Sequence, residues 1–172
     1  MFLIIPILLL FFSFPSQIEA VSAQEKTIGL PAMEQLEKLP YFKTGIRAKQ
    51  ISSYDRGGSN NDGFDGWYSH LYRDESGYVI FDEIGAGVIY QIWFTFNSAW
   101  LNEHGWARIK FYFDDETVPR VDEKLTDFFS GKTPPFLSPL VGDKIVSHGG
   151  YYSYVPMPFK KRLKISINTI PM

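Results

Sequence analysis

An all-β fold, an antiparallel jelly-roll sandwich with one short N-terminal helix, is what this sequence predicts. Three observations carry that expectation. Aromatic residues make up 17% of the chain, and aromatic side chains favour strands over helices. The stretches 88–97, 108–113 and 163–168 alternate with a period of two, the mark of strands that bury one face. Turn-forming Gly, Pro, Asp and Asn divide the chain into six or seven such strands at regular spacing, the pattern of antiparallel sandwiches.

Residues 1–23 stand apart. Positions 2–14 are almost wholly apolar, and Val21-Ser22-Ala23 supplies small residues where a signal peptidase reads. That layout predicts a signal peptide and a secreted or periplasmic protein without stable membrane insertion, since the run is too short to span a bilayer and is broken at Pro6 and Pro15. The chain contains no cysteine, so the exported domain must hold together by its core rather than by disulfides. A net charge of −2 gives no electrostatic footprint for nucleic acid.

Residues 24–42 are read as an N-terminal helical segment and 43–172 as the jelly-roll domain. Pro31 suits the first turn of a helix and Pro40 stops it, while Met33, Leu36 and Leu39 form a stripe expected to pack on the domain. A strand is expected over 43–51 and another over 78–84, followed by a turn at 85–87. In the next run Val88, Tyr90, Ile92, Phe94 and Phe96 fall on one face, expected to be core, and Ile89, Gln91, Trp93, Thr95 and Asn97 on the other. Ile109, Phe111 and Phe113 are expected inward, with Asp114-Asp115-Glu116 turning the chain into a hairpin partner over 118–125. Residues 132–148 read as a long loop. Pro156 and Pro158 confine 151–159 to a sheet edge or bulge, and Leu163, Ile165 and Ile167 mark a last strand.

The candidate site is the polar stretch 52–67, which holds three Asp, two Asn, an Arg, four Gly and three aromatics. Such a composition suits neither helix nor core strand. Asp55, Arg56, Asn60 and Asp62 offer the acceptors and forked donors that pair with sugar hydroxyls. The same residues also suit a turn in which Asp and Asn bond their own backbone and Arg56 pairs with an acid. Asp62 and Asp65 flank Gly63 without the spacing of a helix-loop-helix calcium site, and His70, His104 and His148 lack metal-ligand spacing; no cofactor or metal is expected. Among the tryptophans, Trp93 has polar neighbours on its own face and is the candidate for stacking on a sugar ring, whereas aromatics at strand spacing more often serve the core.

Four strings occur in an order that resembles glycoside hydrolase family 172: Ile51-Ser52-Ser53-Tyr54-Asp55-Arg56 followed by Asn60-Asn61-Asp62; 87–94, Gly-Val-Ile-Tyr-Gln-Ile-Trp-Phe; 125–129, Leu-Thr-Asp-Phe-Phe, with Ser138-Pro139-Leu140; and 154–159, Tyr-Val-Pro-Met-Pro-Phe. The resemblance covers roughly residues 43–168. It implies a first jelly roll of two in tandem, assembly into trimers or hexamers, and α-D-fructofuranosidase or difructose-dianhydride chemistry on fructose- or other furanose-containing glycans. It also implies a retaining mechanism with two carboxyl groups roughly 5 Å apart. Both are expected beyond the segment that ends near Asn168, so no catalytic residue is assigned and a half-length chain is expected to be inactive alone. The alternative is a non-catalytic sugar-binding or oligomer-forming module. By resemblance, Asp55, Arg56, Asn60, Asp62 and Trp93 line part of a sugar pocket.

Overall fold

The computed structural model describes residues 29–170 except 39, 42–43, 63–65 and 96–97. The expected signal segment lies outside the described residues. A five-residue helix, α1 (Leu30–Glu34), and a 3-10 turn (Leu36–Lys38) open the described chain. Met33 and Leu36 are 41% and 67% exposed, so these two members of the expected stripe are not buried on the domain, two short turns dividing them before a continuous apolar face can form; Leu39 lies outside the described residues.

The expected strand over 43–51 is absent where it is described. Residues 46–55 form no ladder, and Ile46 and Ile51, the apolar residues that might have anchored one, are exposed. An ion pair from Lys49 to Glu83 tethers this segment to the sheet.

The large sheet contains β1 (Tyr72–Asp74), β2 (Gly77–Ile84), β5 (Arg108–Phe113), β6 (Val121–Lys124) and β12 (Arg162–Ile167). Their order is β1-β2-β12-β5-β6, antiparallel throughout. The last strand is therefore central. Ile109, Phe111, Phe113, Leu163, Ile165 and Ile167 are buried as the alternation predicts; the opposite face carries Arg108, Lys110 and Tyr112 on β5 and Arg162 and Lys164 on β12, where Ser166 departs from the pattern by being fully buried beside a register shift. The turn between β1 and β2 is fixed by Asp74, whose carboxylate accepts from the Ser76 amide at 2.8 Å and from the Ser76 hydroxyl at 2.5 Å. Such side-chain mimicry of a turn is the local preference of Asp.

The remaining strands are shorter. A two-stranded sheet pairs β3 (Gly87–Ile89) with β11 (Met157–Phe159), and β10 (Tyr151–Ser153) lies between β4 (Ile92–Phe94) and β9 (Val141–Gly142). This corrects two expectations. The run 88–97 is not one strand over its described part, 88–95: it breaks at Tyr90 and Gln91 and enters a different sheet, so Ile89 packs on the core while Tyr90 is 41% exposed, and Phe96 and Asn97 lie outside the described residues. A change of sheet resets the inward phase, which period-two alternation alone does not reveal. Tyr151 and Tyr152 belong to a middle strand, not an edge, because Pro156 and Pro158 fall after β10; Pro158 sits in the two-stranded sheet, where a missing N–H is tolerated.

The expected loop 132–148 is subdivided into a small hairpin of β7 (Lys132–Thr133) and β8 (Phe136–Leu137), then β9 and helix α4 (Lys144–Ser147), capped by the Asp143 carboxylate at 2.9 Å from the Ile145 amide. Helix α2 (Ser98–Glu103) follows β4, and α3 (Leu125–Phe128) follows β6. Helix α3 joins the layers: Phe128 lies 5.5 Å from Phe111 and 4.4 Å from Phe136, while Phe129 lies 5.5 Å from Tyr151 and 5.6 Å from Phe94. These aromatic contacts fill one continuous core between the large sheet and the shorter strands, the arrangement of an antiparallel β-sandwich.

Candidate functional site

The loop 53–62 is organised by the carboxylate of Asp55, which is only 7% exposed. One oxygen accepts from the Gly57 amide at 2.7 Å; the other accepts from the Ser59 hydroxyl and from the Asn61 amide at 3.3 Å. The Tyr68 hydroxyl adds a further hydrogen bond from beyond the loop. The main chain closes on the same point, since Gly58 N–H donates to the Asp55 carbonyl at 3.1 Å. Asp62 completes the ring: its side-chain oxygen accepts from the Asp55 amide at 2.7 Å, and its carbonyl accepts from the Ser53 hydroxyl at 3.3 Å.

This arrangement explains the local sequence. An Asp followed by glycine and small hydroxyl residues can turn its carboxylate onto the next amides. A Cβ at Gly57 would stand 3.1 Å from the Asp55 carboxylate, and Gly58 has a φ of +79°, so both glycines serve the turn. The electrostatics agree. Hydrogen bonding from Ser59, with help from Gly57, Tyr68 and Asn61, holds the Asp55 carboxyl below its ordinary range despite burial. The accepting Asp55 in turn pushes the Tyr68 phenol upward. Asp55 is thus ionised and committed to holding the loop.

What the loop presents outward is different. Arg56 and Asn60 are exposed. The Arg56 guanidinium stands over two rings, 5.2 Å from the Tyr54 centroid and 5.6 Å from that of Tyr68. Stacking orients a planar guanidinium and leaves its N–H donors available at the rim. Asp62 is exposed as well, one oxygen engaged by the Asp55 amide. The structure therefore brings Asp55, Arg56 and Asp62 into one built loop, with Asn60 on its surface. Asp65, weighed with Asp62 for calcium, lies outside the described residues.

Trp93 is elsewhere. It is 47% exposed on the outward side of β4, opposite Tyr152, and among the described residues no hydrogen bond, ion pair or ring contact joins it to the loop. Sequence reading missed two contributors to the loop, Ser59 and Tyr68. A hydroxyl four residues after an Asp in a Gly-rich turn is a usable signal for Ser59; Tyr68 has none, because three-dimensional closure alone brings it back.

A second polar network occupies the large sheet. Arg162 grips Asp82 with two bonds of 2.7 Å, and Tyr72 donates to the same carboxylate. Arg162 and Lys164 also line a cleft of about 120 Å³ with Tyr112, Asp115 and Glu116. That volume is well short of the roughly 300 Å³ at which ligand pockets begin, so the network reads as sheet-stabilising. Asp82 and its neighbour Glu83 serve different partners, Arg162 and Lys49, as residues on opposite faces of a strand must. No helix among the described residues is long and apolar enough to cross a membrane.

The family model described as GH172 first beta-sandwich domain matches residues 44–172, a span that takes in the loop, all four sheets and helix α3. No curated protein matches the chain. With the sandwich architecture and the match agreeing over three quarters of its length, this chain belongs to glycoside hydrolase family 172 through that family's first β-sandwich domain.

Proposed function

We propose that this protein is an exported, carbohydrate-active β-sandwich whose loop 53–62 forms one wall of a sugar site for fructose- or other furanose-containing glycans. The observation that carries the reading is the division of labour within the loop. A buried Asp55 carboxylate spends its hydrogen bonds on the loop itself, and Arg56, held over two tyrosine rings, and Asn60 are left at the surface. A loop fixed in this way offers donors and acceptors without an ordering cost on binding. Membership in a glycoside hydrolase family supports sugar as the partner.

The match is to a first domain, and this supports a chemistry shared with a second one. In that reading the two carboxyl groups of a retaining hydrolysis come from outside residues 44–172, and the loop described above binds and orients the sugar. Export rests on the apolar segment and small residues of positions 1–23, and assembly with further copies would bring neighbouring domains to the same pocket. A non-catalytic sugar-binding module is the second reading, favoured by how fully the loop's own groups satisfy Asp55.

Calorimetric titration with fructose-, arabinose- and glucose-containing oligosaccharides, with products followed in parallel, tests this function. Furanose binding that weakens about tenfold in Arg56→Ala is the expected result, one charge-assisted contact being worth roughly 1.5–3 kcal/mol. Binding by a folded sample that is indifferent to Arg56→Ala would remove the loop from the site. Turnover by this chain alone would overturn the shared-domain reading.

A further inference from the structure

The outward face of the three-stranded sheet carries a row of aromatics for which the core has no use. Trp93 on β4 is the register partner of Tyr152 on β10, and Tyr152 is the partner of Gly142 on β9. Directly opposed residues share a face, so Trp93 and Tyr152 stand side by side. Tyr154 follows on the same side, its ring 5.2 Å from that of Tyr152 and tilted by 40°.

Two glycines make the row possible. The indole of Trp93 occupies the space where a Cβ at Gly150 would be, and a Cβ at Gly142 would stand 2.7 Å from the Tyr152 ring. Each ring therefore leans across the neighbouring strand instead of standing clear of it. Both glycines are buried beneath the rings, whereas Trp93 remains 47% and Tyr154 37% exposed. The Tyr152 hydroxyl is anchored to the Pro139 carbonyl at 3.3 Å. Gln91 and Thr95, two residues either side of Trp93, are exposed, and among the described residues none that the register places in this row carries a charge.

We propose that Trp93, Tyr152 and Tyr154 form a stacking platform for a neutral polysaccharide chain, a surface distinct from the Arg56 loop. The chemistry selects that occupant. Aromatic rings take the C–H faces of successive sugar residues, and amide and hydroxyl groups at the edge take their hydroxyls. A polyanion finds no cation in the row, and a polycation no carboxylate. A second copy of the chain is disfavoured by area: three part-exposed rings of about 150–250 Å² each leave on the order of 250 Å² open, against the roughly 800 Å² per partner of a stable protein interface. From the functional reading the proposal borrows only the glycan class, and the platform would keep a polymer near the chemistry rather than react with it.

Affinity electrophoresis of the chain in native gels containing a soluble neutral polysaccharide, a fructan, an arabinan or a β-glucan in separate gels, tests the platform. Retardation is expected in at least one gel, weakened about tenfold in Trp93→Ala and in Tyr154→Ala and restored in part by Trp93→Phe. Tyr154→Ala guards against a folding defect, since that ring is part-exposed and leans on Tyr152. The loop reading fails if Arg56→Ala leaves oligosaccharide binding intact; the platform fails separately. Absence of retardation in every gel, retardation unchanged in Trp93→Ala and Tyr154→Ala, or a concentration-dependent dimer in light scattering that Trp93→Ala abolishes would each overturn it.

Discussion

At the scale of single residues, the hydrogen bonds of this protein decide which groups are available for chemistry and which are committed to the fold. Tyr72 illustrates a committed group. Burial, then its hydrogen bond to Asp82, pushes its phenol up to about 12 from an ordinary 10.0. Both effects favour the neutral hydroxyl. The folded value lies above the unfolded one, so the stabilisation linked to Tyr72 is fully present below pH 10 and is lost as pH rises from 10 through 12. Ultraviolet titration of phenolate absorbance in the native protein, minus that of Tyr72→Phe, should show one phenol with a midpoint near 12. A difference curve centred near 10 would mean that Tyr72 is neither desolvated nor bonded to Asp82. Asp55 follows the same logic in the loop, where hydrogen bonds hold a carboxylate ionised while its neighbour Arg56 stays at the surface.

At the scale of elements, helix α3 carries more of the fold than its four residues suggest. Phe128 is fully buried, and its ring touches those of Phe111, Phe129 and Phe136. Truncation to alanine removes the ring wedged beside the Phe111–Phe136 pair that joins the large sheet to the β7–β8 hairpin and leaves a cavity, so Phe128→Ala should destabilise by about 3–5 kcal/mol in urea unfolding. A loss below about 1 kcal/mol would show that the sandwich closes without it. The elements also show what could be read in advance. Strands β5 and β12 were legible because six residues of strict alternation outlast any local ambiguity, and their buried apolar residues are those the pattern picks out; the burial of Ser166 follows from a register shift in β12 that the pattern does not carry. The stretch 88–94 was legible as strand but not as two strands, because a corner between sheets leaves apolar residues on both sides and hides the reset. Strands of two residues, such as β9, carry no period at all. In the site, the Asp, Gly and Ser residues of the loop announced a turn, whereas Tyr68 and the pairing of Trp93 with Tyr152 depend on partners remote in sequence. Two glycines under the aromatic row became meaningful only once the register was known.

At the scale of the whole molecule, four carboxylates fix a loop and two turns and brace neighbouring strands of the large sheet. Asp55 closes the 53–62 loop. Asp74 fixes the β1–β2 turn and pairs with Lys164 at 2.9 Å; Asp82 holds Arg162 across the same sheet. Asp114, at a φ of 52°, accepts from the amides of Lys160 and Lys161 at 2.8 and 2.7 Å, joining the end of β5 to the turn before β12. All four lie below their ordinary value of 3.8: Asp55 chiefly through Ser59, Asp82 through Arg162, Asp114 through the Lys161 amide, and Asp74 because Ser76 and Lys164 together outweigh its burial. A folded pKa below the unfolded one gives stability that is present above 3.8 and disappears as pH falls through the lowered folded values. Thermal unfolding followed by circular dichroism should therefore give a melting temperature that changes little between about pH 7 and pH 5 and drops steeply below about pH 4. Replacing Asp82 and Asp114 together by asparagine should lower the neutral plateau and flatten the acid limb, because two of the groups that take up protons on unfolding are gone. The Asp82 part of the plateau loss is about 1–2 kcal/mol, the scale for a part-exposed bidentate pair. An acid limb equally steep in the double variant would place the linkage on other carboxylates and detach these two contacts from the stability of the sandwich.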